Sequence, residues 1–71
     1  MKAFTIAAYR ELAGQAGPVA EEDLFLLLGK VQDTFGRVPR AVVEDLAARS
    51  RVSEARIWGA LTAYPGFTVE E

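Results

Sequence analysis

"EEDLFLLLGKVQDTFGRVP", residues 21–39, decides which fold the chain can adopt. Leu24, Leu27, Leu28, Val31 and Phe35 recur at spacings of three and four, the period of one helix face. The run Phe25 to Leu28 alone would also suit a buried strand. Against that, Glu21, Glu22 and Asp23 put negative charge where a helix N-terminus favours it, and Gly29 is tolerated within a helix at some cost. Gly36 suits the left-handed residue that follows a helix end. Pro39 suits the first turn of a new helix, because its missing N–H would have no partner there. The stretch therefore predicts one helix over about 21–35 and another beginning at about 39.

Outward from it, the same signals punctuate the rest of the chain. Towards the N-terminus, Phe4, Ala8 and Leu12 share a helical face over about residues 2–13, and Gly14 ends it. Phe4, Ile6 and Ala8 also alternate with period two, which leaves a strand open for this segment. "GQAGPVA", residues 14–20, is a loop by its Gly and Pro content. Towards the C-terminus, a third helix over about 39–50 turns Val42, Val43, Leu46 and Ala47 inward, with Asp45 and Arg49 spaced to pair. Ser53 is a suitable N-cap for a fourth helix over about 54–63. Its buried side carries Ile57, Ala60 or Leu61, and Tyr64. Pro65 disfavours helical geometry at Tyr64 and ends the helix; Pro-Gly then makes a turn. The expected fold is all-α: one helical domain over residues 1–71, a small three- or four-helix bundle with a helix-turn-helix-like pair at residues 39–64.

Bulk composition narrows the chemistry. At 71 residues the chain is near the lower size for a self-sufficient core, with 51% hydrophobic and 25% charged residues. It has no Cys and no His, which removes disulfides, thiolate nucleophiles, Cys/His zinc sites and imidazole bases. No window approaches the roughly 18–20 continuous apolar residues of a membrane span. Tyr9, Arg10 and Glu11 interrupt the apolar N-terminal run too early for a secretory leader, so the segment is read as mature protein. A cytoplasmic protein with no membrane insertion and no cofactor is the expectation.

Residues 46–61, "LAARSRVSEARIWGAL", have helix-turn-helix spacing, with Ala47 small where helices cross and Val52 and Ile57 apolar. That spacing encodes a packing geometry and names no ligand. Arg51 stands where such turns usually take Gly, so a different turn is expected. A base-reading helix needs Arg, Lys, Asn or Gln near its start, whereas this one offers Glu54, Ala55, Arg56 and Trp58. From Arg37 to Tyr64 five Arg face Glu44, Asp45 and Glu54, a local balance of +2, and the whole chain carries −2. That is a weak footprint for phosphate. A small DNA-binding regulator is thus the alternative reading, not the favoured one.

The stretch "VQDTFGRVPRAVVEDLAARSRVSEARIWGALTAYPGF" (31–67) resembles the helical N-terminal part of a family of NADH-quinone oxidoreductase subunits, the thioredoxin-like two-iron two-sulfur subunits. Relatives of that family occur in NAD-linked hydrogenases and formate dehydrogenases. The matching residues are Gln32, Asp33, Phe35, Gly36, Val38, Pro39, Val52, Ser53, Ile57, Gly59, Thr62, Tyr64 and Phe67, over about residues 24–67. Trp58 stands where the family has Tyr, Ala63 where it has Phe, and Ser50-Arg51 where Leu-Gly is common. The family continues into a thioredoxin-like domain whose four Cys hold a two-iron two-sulfur cluster. This sequence ends at Glu71 without Cys, so it cannot hold such a cluster through thiolates. The resemblance implies a helical module that packs against a flavin- and NADH-binding subunit, without the electron-transfer role.

The expected interface residues are Arg51, Trp58, Tyr64 and Phe67. Each has a plainer reading: Trp58 as a core residue, Tyr64 and Phe67 folded back onto the core, and Arg51, like Arg37, Arg40 and Arg56, simply solvated. Gly59 is expected to permit close helix approach. Glu44 and Asp45 point about 100° apart on a helix and are no catalytic pair. Ser53 and Thr62 have no base nearby in sequence. The resulting expectation is a non-catalytic accessory or assembly subunit, with a flavin- or NAD-binding oxidoreductase subunit as partner. An apolar patch around Trp58 would equally serve a homo-oligomer.

Overall fold

The structure is a computed structural model that describes residues 2–14 and 17–70. The described residues form α1 (Ile6–Ala13), α2 (Glu21–Phe35), β1 (Val38–Pro39), α3 (Arg40–Ser50), α4 (Glu54–Ala63) and β2 (Val69–Glu70). This is a small all-α bundle of four helices, with two two-residue segments paired in parallel, Val38 opposite Val69 and Pro39 opposite Glu70.

α2 runs over the residues that the leucine spacing predicts. Leu24, Leu28, Val31 and Phe35 are buried, and Leu27 is half-buried against the same core. Gly36 ends it in the left-handed region (φ 77°, ψ 3°), its N–H donating to the Gln32 carbonyl at 2.7 Å. Val42, Val43 and Leu46 of α3, Ile57 and Leu61 of α4, and Val19, Val38 and Val52 from the connections complete the core.

α1 is shorter than its periodicity suggests. Thr5, extended at φ −137°, caps it by accepting from the Ala8 N–H at 3.0 Å. That settles helix over strand for residues 6–13 and leaves residues 2–5 outside it. The Lys2 N–H there donates to the Thr34 carbonyl at 2.8 Å, and Phe4 meets Phe35 edge-on with ring centroids 5.2 Å apart. Pro39 is likewise not the first helical residue. It is the extended N-cap residue of α3 (φ −69°, ψ 156°), held outside the helix because Val38 is committed to the pairing with Thr68 and Val69, its N–H donating to the Thr68 carbonyl at 2.7 Å.

The α3–α4 connection keeps the geometry that usually calls for Gly. Arg51 takes the left-handed conformation itself (φ 61°, ψ 20°), and its N–H donates to the Ala47 carbonyl. The expectation of a different turn is corrected: the closing hydrogen bond and the packing of the two helices outweigh a steric cost of roughly 1–2 kcal/mol. Ser53 then caps α4 by accepting from the Arg56 N–H at 3.2 Å.

Two further expectations fail. Gly59 is exposed, and a Cβ there would meet nothing within 4 Å, so it does not serve close packing among the described residues. Tyr64 is not on the buried side of α4 but 61% exposed. Pro65 forces Tyr64 out of helical geometry (φ −102°, ψ 122°), and its side chain therefore leaves the face that continues from Ile57 to Leu61.

A polar clasp closes the other side. Tyr9 is fully buried, its O–H donating to Asp45 Oδ2 at 2.6 Å. Asp45 also receives Arg49 Nη1 at 3.3 Å. Burial, and then the hydrogen bond and negative charge of Asp45, raise the Tyr9 pKa, while Arg49 opposes the shift.

Two measurements follow from this packing. Arg51→Gly removes the left-handed strain and should stabilise the chain by up to about 1 kcal/mol in chemical denaturation. For Tyr9 the folded state holds its proton more tightly than the unfolded state, whose Tyr titrates near about 10. The stabilisation is therefore complete below that pH and is lost as pH rises beyond it. Tyr9→Phe should cost about 1 kcal/mol at neutral pH, and its stability should converge on that of the parent protein as pH is raised through the alkaline range.

Candidate functional site: a groove between α2 and α4

α4 packs chiefly on α3 and reaches α2 at a shared recess and through the Arg56–Glu21 pair. On α2, Phe25 follows Leu24 by one residue, about 100° round the helix, and so stands off the core face. On α4, Arg56 and Ala60 are one turn apart and lie to one side of Ile57 and Leu61. Together with Tyr64 and Phe67 they line an open groove of about 540 Å³. Phe25, Ala60, Tyr64 and Phe67 give it aromatic and aliphatic walls, and Arg56 supplies the charge.

Each wall has a local cause. Pro65 turns Tyr64 outward, and Gly66 at φ 108° carries the chain through the turn. The Thr68 N–H donates to Gln32 Oε1 at 2.7 Å, while the Thr68 carbonyl receives Val38. These two bonds hold residues 67–69 against the α2–α3 junction, so Phe67 is half-buried on the core and lines the groove. Arg56 Nη2 donates to Glu21 Oε2 at 2.9 Å, an exposed pair that bridges α4 to the first turn of α2.

The four expected interface residues do not form one site. Tyr64 and Phe67 line the groove. Trp58 is half-buried against the core and two residues from Ala60, about 200° round the helix, so it faces the other flank of α4. Arg51 is exposed in the α3–α4 turn and is not part of the groove lining. Phe25 is a groove residue that the sequence reading misses. A signal for it exists, because at 39% exposure it is a large aromatic just off an otherwise well-filled helical stripe. Ala60, a core candidate by its spacing, is half-buried at the groove edge.

Among the described residues no arrangement for bond-making chemistry stands out. Asp45 is occupied by Tyr9 and Arg49. The Ser53 hydroxyl caps α4, and the Thr62 hydroxyl donates back to the Trp58 and Gly59 carbonyls at 3.0 Å. No group of three or more described His, Cys, Asp or Glu is placed to hold a metal ion. No described helix is long and apolar enough to cross a membrane.

The chain matches no protein-family model, no curated protein and no solved structure. The likeness to the two-iron two-sulfur subunits of NADH-quinone oxidoreductase therefore rests on the sequence residues alone.

The groove residues should be separable from the core by stability measurements. Tyr64→Ser should change unfolding free energy by no more than about 0.5 kcal/mol. Leu61→Ala, one turn away and inside the core, should cost about 2–5 kcal/mol in the same denaturant titration.

Proposed function

We propose that the chain is a non-catalytic accessory or assembly module that docks on a protein partner through the α2–α4 groove. The observation that carries this reading is Tyr64. A large aromatic is fixed in the open by the Pro65 backbone constraint, beside Phe25, on a recess that none of the described residues fills. Large aromatics of this kind supply much of the energy of protein interfaces. The class of partner follows from the sequence resemblance: a flavin- and NAD-binding subunit of an oxidoreductase complex of the NADH dehydrogenase, formate dehydrogenase or hydrogenase kind. Tyr64 and Phe67 belong both to the resemblance and to the groove, which supports joining the two.

The second reading, a DNA-binding regulator, is favoured by one observation, the α3–turn–α4 connectivity with Arg51 left-handed at its corner. Its exposed opening residue Glu54 would meet phosphate repulsively. Arg56 is the only cation on that helix, too little positive charge for a phosphate footprint.

The test is recovery of the chain from its native cells under gentle conditions, followed by assay for bound flavin and NADH-dependent dye reduction. Co-elution of an NAD-linked flavoprotein subunit is the expected result, reduced about tenfold or more by Tyr64→Ser, as for an interface hot spot. Recovery free of any such subunit, combined with a salt-sensitive gel shift on mixed DNA, would replace this reading with the second.

A further inference from the structure

We infer that the α2–α4 groove takes a segment of a protein partner in which a large apolar side chain stands beside a carboxylate, and that this carboxylate exchanges with Glu21 on Arg56. The inference rests on the docking role of the groove and not on the oxidoreductase class of the partner.

The size of the groove limits its occupant. A recess of about 540 Å³ lined by Phe25, Ala60, Tyr64 and Phe67 accepts one or two large side chains. A stable pair of chains would need roughly 800 Å² of matched surface on each partner, and the other well-exposed apolar residues, Ile6 and Leu26, lie outside the lining. An extended peptide segment fits the recess better than a second copy.

Charge selects the rest of the occupant. Arg56 is the third residue of α4 and stands at the positive end of that helix's dipole. A cation there is poorly placed unless an anion accompanies it. In the free chain Glu21 provides that anion at 2.9 Å, with both side chains more than half exposed (66% and 53%). An exposed pair of this sort contributes little net stability. Once released, Glu21 is not stranded, because it lies in the first turn of α2, where negative charge is favoured. An incoming carboxylate would pair with Arg56 beside the aromatic walls, less exposed to water and salt than Glu21 is. The apolar neighbour would fill the recess, the acid would take the guanidinium, and Glu21 would act as a weak built-in competitor.

The experiment uses the full chain, isotope-labelled, titrated with a short end-blocked peptide containing Asp-Phe-Leu and with its Asn-Phe-Leu counterpart, read by amide shifts. Saturable shifts should centre on Phe25, Arg56, Ala60, Tyr64 and Phe67. The acidic peptide should bind about threefold tighter or better, and Arg56→Gln should abolish that preference. Glu21→Gln should tighten the acidic peptide by about two- to threefold. The last two variants break the same ion pair, so a merely structural effect would move both affinities the same way, whereas competition moves them oppositely. Equal affinity for the two peptides, an acid preference that survives Arg56→Gln, shifts centred elsewhere, or no saturable binding would each overturn the inference. Because the assay contains only the chain and a peptide, its failure is distinct from failure of co-elution with an oxidoreductase.

Discussion

Arg49 is the side chain around which the N-terminal half of the molecule is organised. Its Nε donates to the Gly17 carbonyl at 2.9 Å, Nη2 to the Ala13 carbonyl at 3.1 Å, and Nη1 to the Gly14 carbonyl and to Asp45 Oδ2, each at 3.3 Å. Its own carbonyl accepts from the Val19 N–H at 3.0 Å. α1 ends at Ala13 with carbonyls that have no helical partner, and the connection to α2 crosses α3. One guanidinium, 11% exposed, serves both, and its charge suits a helix C-terminus. Asp45 then balances Arg49 and accepts from Tyr9, so the phenol that reaches into this part of the core arrives already paired. The charge lies largely out of water because it is well bonded, which is the condition for such burial to be tolerated.

The C-terminal half is held by backbone constraint instead. Pro65 ends α4, Gly66 reverses the chain, and the following residues pair with β1 at the α2–α3 junction. The pairing is only two residues long, yet it links sequence positions about thirty apart, and Gln32 reinforces it by accepting from Thr68. The segments flanking the helices are thus tied to the middle of the chain: the N-terminal one to Thr34, the C-terminal one to Gln32 and Val38. The second tie holds Phe67 half-buried on the core, and Phe67 lines the groove together with the exposed Tyr64.

What is legible in the sequence is local. The bounds of α2 and α4, the Gly36 cap, the Ser53 cap and the stop at Pro65 all depend on residues within a turn of one another, and each is found where the pattern puts it. What escapes is set by contacts between distant residues. The Thr5 cap displaces the start of α1 because the extended segment before it binds Thr34. The pairing of β1 with β2 has no period to reveal it, being too short for alternation to show. Tyr9 sits in an eight-residue helix, and its burial follows from Asp45, 36 positions away. At the candidate site, Tyr64 and Phe67 are legible as aromatics beyond a helix end. Their meeting with Phe25 and Arg56 is not, since it depends on how the α3–α4 turn and the return of the chain after Pro65 place these residues relative to α2. Trp58 misleads for the same reason: a large aromatic is visible, but the side of the helix it faces is set by the packing of Ile57 and Leu61.

The two helices that wall the groove also carry an interior glycine each. Gly29 and Gly59 face open space, with no atom within 4 Å of where a Cβ would be. Each costs its helix about 1 kcal/mol relative to Ala without any return in close packing among the described residues. In a domain this small that is a sizeable part of a net stability of several kcal/mol, and it falls on α2 and α4 rather than on the Arg49 clasp. Under the docking reading the deficit has a counterweight. A partner that binds only the folded chain adds stability in proportion to the logarithm of its concentration over its dissociation constant, and it does so at these two helices. Under that reading, stability local to the groove and supplied in part from outside would couple folding of the chain to its assembly.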